Sequence, residues 1–398
     1  MYAQSIFPRD ALASRINRRK FIERAMSIKS WLRKILPASS SSLEGYGSRA
    51  ITEVLKVDMT VKNVGNEVDN VKATLNEIQK DVRRGEVWYP LLGEREFVRS
   101  TWASCFDESQ VDRYARLIAN LDDESVETVC LILGRVRKML EEDDIDSDMF
   151  SEEELKQIRM LRDHFYPLIV KLADDVYAYR NYYLPTDHFE PSVFYYKHGI
   201  DLLRNRESVK GRDILDIGGF VGDSVLVLEE LEPRRIHTFE AEPHNYALMQ
   251  RTMELNKIDN VVLENLAVGD KKGELHLNVM ESATTCLNVS SHTYTDSISV
   301  PMITIDDYVR ENDVDVALIK VDIEGAEPLF LEGAKETIAK FRPIILLSIY
   351  HNSHDFFELK PLIESWNLDY VFRVYRPPIE TPTTEVLLIV EPKEHVRG

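Results

Sequence analysis

The 398-residue chain reads as an α/β protein whose C-terminal half holds a mostly parallel sheet covered by helices. Three observations predict this. From residue 212 onward, the β-rich runs DILDIG, IHTFEA, VVLENLAV, ALIKVDI and IILLSIY alternate with helical stretches near 223–231, 244–256 and 328–340. Two late runs, YVFRVYR at 370–376 and EVLLIVE at 385–391, are joined by a Pro-containing loop too short for a crossover helix, so they pair antiparallel at an edge. Residues 85–189 have a different texture, rich in helix formers and acids, which predicts a helical accessory domain in front of a domain at 190–398.

At the N-terminus, residues 1–36 hold nine Lys/Arg against Asp10 and Glu23. Phe21, Ala25, Ile28, Leu32 and Ile35 recur there at helical spacing, so the segment predicts a basic amphipathic helix. Such a helix suits peripheral contact with an anionic membrane surface, and equally suits packing on its own protein. Residues 37–49, with Pro37 and the serine run 39–42, read as a linker. Val54, Val57, Val61, Val64, Val68, Val71, Leu75, Ile78 and Val82 then follow the rhythm of a left-handed coiled-coil seam over 50–84. This pattern predicts a homo-oligomer, dimer or trimer. In the accessory region, helices are expected at 108–121, 124–142 and 151–180, with Asp122, Asp123 and Ser151 as caps. The last one ends in the cluster Tyr177, Tyr179, Tyr182 and Tyr183, read as core.

Composition narrows the function. The formal net charge of −19 includes that basic N-terminus, so the remainder is more acidic still and a poor partner for a phosphate backbone. Cys105, Cys130 and Cys286 are widely spaced, which excludes a disulfide framework and a CxxC zinc site. The longest apolar runs fall far short of the roughly 20 residues that span a bilayer, and no secretory signal is evident, so a cytoplasmic setting is expected.

The chemistry sits at strand ends. Asp216-Ile-Gly218-Gly219-Phe220-Val221-Gly222 closes the first strand and opens a helix, but its glycine spacing is not that of the dinucleotide fingerprint. An acid at this strand end suits the ammonium of an amino-acid-bearing cofactor. Glu240 ends the second strand, where a carboxylate can accept both hydroxyls of a ribose. An adenosine without phosphates and with a charged amino-acid tail is S-adenosylmethionine.

From about 190 to 391 the chain resembles the FkbM family of S-adenosylmethionine-dependent methyltransferases. LDIGGFVGDS, TFEAEPHNYALMQRTMELN, NVVLENLAVGDKKGELHL, ITIDDYV and ALIKVDIEGAEPLFLEGA carry the resemblance. It implies a class I, Rossmann-like sheet of seven strands. It also implies that Asp216, Gly218, Gly219 and Gly222 line the methionine end, that Glu240 holds the ribose, and that Asn265, Leu266 and Ala267 border adenine. Phe220 stands where the family often has Asn, and FEAEP replaces the common FEPNP.

The segment ALIKVDIEGAEP places Asp322 at the carboxyl end of the fourth strand, with Lys320 and Glu324 on the same side if the strand runs that far. Glu327 is read as a structural acid at a helix start, after a turn made by Gly325. Transfer of a methyl group to a sugar hydroxyl needs a proton acceptor, for which Asp322, Glu324 and His351 are the candidates, His351 being expected to face the same crevice. No metal is expected, because Lys320 sits among the acids and His351, His354 and Asp355 show no helical ligand pair. The resulting reading is an O-methyltransferase acting on a glycan or glycosylated metabolite. Its rival is a scaffold protein whose methyltransferase-like domain only binds cofactor or a partner.

Overall fold

The computed structural model describes residues 91–103, 106, 109–141, 149–279, 284–285 and 296–395. The basic helix, the linker and the coiled coil expected over 1–84 lie outside the described residues. Residues 86–398 form one compact unit. Among the described residues, no helix is long and apolar enough to cross a membrane.

The accessory region opens with α1 (Leu91–Trp102), α2 (Gln110–Ile118), α3 (Asp123–Glu141) and α4 (Glu152–His164). The Asp122 carboxylate accepts the Ser125 N–H at 2.9 Å at the start of α3. Ser151 caps α4 through a capping box, in which Glu154 reaches back to the Ser151 N–H at 2.8 Å.

The helix expected over 151–180 stops at His164. It is followed by a three-stranded antiparallel sheet of β1 (Ile169–Ala173), β2 (Val176–Tyr179) and β3 (Tyr182–Leu184). The reason is local. The run IVKLADDVYAYRNYYL is rich in β-branched and aromatic residues, and Arg180 adopts the left-handed conformation (φ 53°) that a tight hairpin turn requires. The tyrosine cluster therefore lies on strands, and the Tyr179 ring packs 4.6 Å from that of Phe165.

The main sheet has seven strands: β4 (Asp213–Ile217), β5 (Arg235–Phe239), β6 (Val261–Glu264), β11 (Val316–Val321), β12 (Ile344–Ser348), β13 (Tyr370–Tyr375) and β14 (Leu387–Pro392). Their order across the sheet is β13-β14-β12-β11-β4-β5-β6. All are parallel except β14, which pairs antiparallel with both β12 and β13. The two late strands thus pair as expected, with β14 inserted inside the sheet and β13 at its edge.

The run VVLENLAV is not one strand. Asn265 turns the chain out of β6, and β7 (Ala267–Val268) joins a second, four-stranded sheet with β8 (Gly273–Val279), β9 (Thr284–Thr285) and β10 (Asp296–Ile303). The connecting helices are α5 (Pro191–Phe194), α6 (Asp223–Leu228), α7 (Pro243–Asn256), α8 (Ile305–Asn312), α9 (Glu327–Gly333), α10 (Lys335–Phe341) and α11 (Ser353–Ser365).

Alternation along the strands sends successive side chains to opposite faces, and each face has its own core. Leu215, Ile319 and Leu347 pack with Val98, Trp102, Leu117 and Ile132 of α1–α3. Ile214, Leu318 and Leu346 pack with Leu161, Phe165, Tyr179 and Leu184. The accessory residues therefore share the core of the sheet instead of forming a separate body. Polar ties reinforce the join: Arg113 of α2 bonds Glu358 of α11 at 2.7 Å, and Asn120 bonds Glu364 at 2.8 Å.

A further tie is Glu154, which bonds Arg135 at 2.5 Å and Arg376 at 2.9 Å, both guanidiniums being almost inaccessible. Removing the carboxylate leaves two buried cations without it, a change that costs about 3–5 kcal/mol when one partner of a buried pair is lost. Glu154→Ala is expected to lower the urea unfolding midpoint correspondingly. An unchanged midpoint would show that Glu94, close by, takes over the charge balance.

Candidate active site

The site is assembled where β4 and β11 end side by side. Gly218 follows β4 with φ 85°, and a Cβ there would fall 1.8 Å from the Asp322 carbonyl oxygen. Only glycine lets the two strand ends approach this closely. The Lys320 ammonium, buried in β11, donates to the Gly218 carbonyl at 2.6 Å and lies 3.3 Å from Asp216. Burial opposes its charge, but Asp216, Asp322 and Asp223 together hold its pKa above the ordinary value.

Asp216 itself is fully buried and accepts hydrogen bonds from Ser224 and Thr238, each at 2.8 Å. It stands behind the cavity wall and positions the loop, in contrast to its expected place against the cofactor. The acid that does reach the cavity at this end is Asp223, which burial pushes up to about 6. Phe220 takes a left-handed conformation (φ 45°), and its N–H donates to Glu240 at 2.8 Å.

A cavity of about 310 Å³ lies over these strand ends. Its lining includes Gly218, Glu240, Asn245 and the apolar side chains of Phe239, Leu266 and Val268. Glu240 accepts the N–H groups of Phe220 and Glu242, while burial raises its carboxyl to about 7. Of the other residues predicted for the cofactor, Ala267 lines the cavity. Asn265 does not line the cavity: its amide bonds the carbonyls of Glu240 and Ala241 and shapes the turn. Gly219 and Gly222 also stand back, packed on Thr238 and Met249 and on Met253.

The lining is also acidic: Glu190, Asp322, Glu324 and Glu385 belong to it, with His188, His198 and Tyr350. His188 bonds Glu190 at 2.9 Å; burial opposes its charge, but Glu190 holds the imidazole up at about 9. Glu385 is pushed up to about 8 by burial and by the charges of Glu190 and Asp322. His188, Glu190, His198 and Glu385 lie outside the motifs at the strand ends, in segments whose sequence pattern carries no chemical signal.

The strand does not run on to Glu324. β11 ends at Val321, and Glu324 and Gly325 turn through left-handed conformations (φ 55° and 95°) that send the Glu324 side chain, half exposed, to the cavity. His351 also differs from expectation. It is 2% exposed, does not line the cavity, and is held behind Asp322. Its Nε2 lies 3.2 Å from Asp322 Oδ1 and 3.7 Å from Glu324, and its Nδ1 lies 3.0 Å from Glu327 Oε1. Burial opposes its charge, yet Glu327, Glu324 and Asp322 raise its pKa well above the ordinary value.

Asp322 in turn is held down at about 2, burial being outweighed by His351 and Lys320. Glu327 starts α9 as expected, but its fully buried carboxylate also accepts the Ile323 N–H at 3.0 Å and faces the imidazole. Among the described residues, Asp322, Glu327 and His351 bring one potential metal-ligating atom each within 4.8 Å of one another. His354 points away, exposed on α11.

The fold and these strand-end groups define a class I methyltransferase architecture: a Rossmann-like, mostly parallel sheet with a motif-bearing first strand. Residues 216–374 match the model described as the Methyltransferase FkbM domain, which supports a methyltransferase enzyme. A curated relative, Methyltransferase 1 of Beauveria bassiana (strain ARSEF 2860), is 24% identical over 199 residues, covering 44% of this chain and 79% of that protein. Methyltransferase FkbM from Methylobacillus flagellatus KT superposes with a TM-score of 0.45 at 19% identity, covering 70% of this chain and 58% of that one. An rRNA methylase from Streptococcus thermophilus gives a TM-score of 0.30 at 13% identity, covering 52% and 98%.

The contact between Gly218 and the Asp322 carbonyl makes a direct prediction. Gly218→Ala adds left-handed strain of about 1–3 kcal/mol, and overpacking of about 1–3 kcal/mol. The variant is expected to lose that much stability in urea unfolding. A midpoint equal to the parent's would mean that the ends of β4 and β11 separate without cost.

Proposed function

We propose that this enzyme transfers a methyl group from S-adenosylmethionine to a hydroxyl of a glycan or glycosylated metabolite. The observation that carries this reading is that Glu240 and a set of apolar side chains line the same cavity as Glu190, Asp322, Glu324 and Glu385; we assign the first group to the nucleoside and the second to the acceptor. In the first, Glu240 offers its carboxylate to the ribose hydroxyls, and Phe239, Leu266, Ala267 and Val268 provide apolar walls for adenine. Asp223 and the Gly218 backbone lie toward the amino-acid tail.

In the second group, ionised or hydrogen-bonding carboxylates suit an acceptor rich in hydroxyl donors. Glu324 is the proton acceptor on geometric grounds, being half exposed on the cavity floor, whereas His351 is walled off and Asp322 is engaged with it. As the acceptor O–H proton passes to Glu324, the oxygen lone pair forms the O–CH3 bond. The S–CH3 bond breaks with its electrons, leaving a neutral thioether. His351 acts through Asp322 as a positioning residue. Alignment of the two reacting atoms supplies much of the rate, up to about 7–11 kcal/mol in well-oriented systems.

Calorimetry with S-adenosylmethionine and S-adenosylhomocysteine tests the cofactor. Both are expected to bind, and binding of neither would overturn the reading. Because Glu240 is raised to about 7, its acceptor form grows as pH rises through that value, so affinity should strengthen from pH 6 to 8 and then level off. Glu240→Gln should bind more weakly and lose the part of this pH dependence centred near 7, leaving that of Asp223 nearer 6. For the chemical step, Glu324→Gln is expected to cut turnover on an identified acceptor by about 10²–10⁴-fold, with cofactor affinity retained. Unchanged turnover would remove Glu324 from the proton-acceptor role.

A further inference from the structure

The segment PTDHFEP joins β3 to α5 with a proline at each end. Its centre is anchored in the core: Phe189 is buried, with its ring 4.8 Å from that of Phe194 and 6.1 Å from that of Tyr179. His188 and Glu190 flank this anchor and line the cavity. The His188 Nε2–H donates to Glu190 at 2.9 Å, and the ring stands 5.2 Å from that of Phe220 in an edge-to-face contact. That contact seats the imidazole against the glycine loop, on the side of Asp223, whose charge acts on it. The side chain is half exposed, and its Nδ1–H is engaged by no group among the described residues.

A methionine tail brings a carboxylate as well as an ammonium, and the anion meets an unfavourable lining. Six carboxyl side chains, Glu190, Asp223, Glu240, Asp322, Glu324 and Glu385, face the cavity. Backbone N–H groups of a glycine loop can bind an anion when they are free, but here they are committed. Gly218 and Gly219 donate to the Phe239 carbonyl at 3.0 and 2.8 Å, Phe220 donates to Glu240 at 2.8 Å, and Gly222 donates to the Gly219 carbonyl at 2.7 Å. The Lys320 ammonium is bound to the Gly218 carbonyl and lies against Asp216. Burial and Lys320 push His198 down to about 4, so that imidazole is neutral. His188 differs: burial opposes its charge, but Glu190, Asp223 and Asp187 hold it at about 9, and the ring is cationic at neutral pH.

We propose that His188 is a cofactor-binding residue, its imidazolium pairing through Nδ1–H with the carboxylate of the methionine tail while Glu190 orients the ring. The inference rests on the S-adenosylmethionine reading above. It divides the tail between two neighbours: Asp223 takes the ammonium and His188 the carboxylate. His188 precedes the family-matched segment 216–374, so the accessory region contributes to cofactor recognition as well as to cover of the sheet.

The test is calorimetry on the full-length protein with S-adenosylmethionine and with decarboxylated S-adenosylmethionine, which differs only in lacking the carboxylate. His188→Ala is expected to weaken S-adenosylmethionine by about ten- to a hundredfold, the range for a hydrogen bond between charged groups, and to leave the decarboxylated form bound no more weakly than by the parent. His188→Lys, which keeps a cation at the position, should recover part of the loss, and circular dichroism verifies folding of both variants. Equal weakening of the two ligands in folded His188→Ala would show a role in shape alone and overturn the proposal, as would unchanged affinity for S-adenosylmethionine. A parent protein that binds neither S-adenosylmethionine nor S-adenosylhomocysteine overturns the cofactor reading itself, and this assignment with it; a parent that binds them while His188→Ala keeps the same preference between the two ligands overturns this assignment alone.

Discussion

The buried ammonium of Lys320 is the interaction on which the site depends. It lies in the middle of a sheet whose neighbouring side chains are apolar, and its charge is held there by Asp216 and by the carbonyl of Gly218. That single group ties the end of β11 to the end of β4 and fixes the loop that bears Gly218 and Phe220. The Asp322 N–H adds a backbone bond to Ile217 at 3.0 Å along the same seam. A chain that buries a cation at this point must bring carboxylates to it, and Asp216 and Asp322 occupy the positions on either side. The acidity of the cavity therefore begins as a folding requirement of the seam, and the chemistry is built on charge that is already in place.

The accessory region follows from the same geometry. Seven strands carrying apolar side chains to both faces need cover on both. The crossover helices do not complete this cover. Helices α1–α3 close one face, and the short antiparallel sheet with its tyrosines closes the other. By wrapping the edge, this cover also delivers His188, Glu190 and His198 to the cavity. His188, Glu190, Ser192, Val193 and His198 of the cavity lining thus precede the family-matched segment 216–374.

The sequence revealed most where a pattern is repeated or where glycine and an acid stand at a strand end. The five parallel strands of the β4–β12 stretch, the antiparallel late pair and the caps at Asp122 and Ser151 were legible from period and composition. The stretch 169–184 was not, because its tyrosines and valines satisfy helical spacing about as well as strand alternation, and only the turns at Asp174 and Arg180 distinguish them. Among site residues, Gly218, Glu240, Leu266, Ala267, Asp322 and Glu324 reach the cavity as expected. Asp216 and His351 do not, since a motif places a residue at the end of a strand but leaves open which layer behind the surface its side chain occupies. Glu385, which approaches from the β13–β14 loop in a left-handed conformation (φ 58°), could be found only by folding the chain.

The charge pattern also bears on turnover under the proposed chemistry. A sulfonium cofactor enters the cavity with a positive charge on sulfur, and the cavity meets it with Asp223, Glu240, Asp322 and Glu324. Methyl transfer removes that charge, because the thioether product is neutral at sulfur. The attraction that gathers substrate cofactor is therefore weaker for the product, at the moment when the proton taken from the acceptor also neutralises one carboxylate. Release of the spent cofactor is favoured, and rebinding of the charged one restores the balance. Under that chemistry Asp322, which belongs to the β4–β11 seam and also lines the cavity, adds to a preference for the charged form of the cofactor.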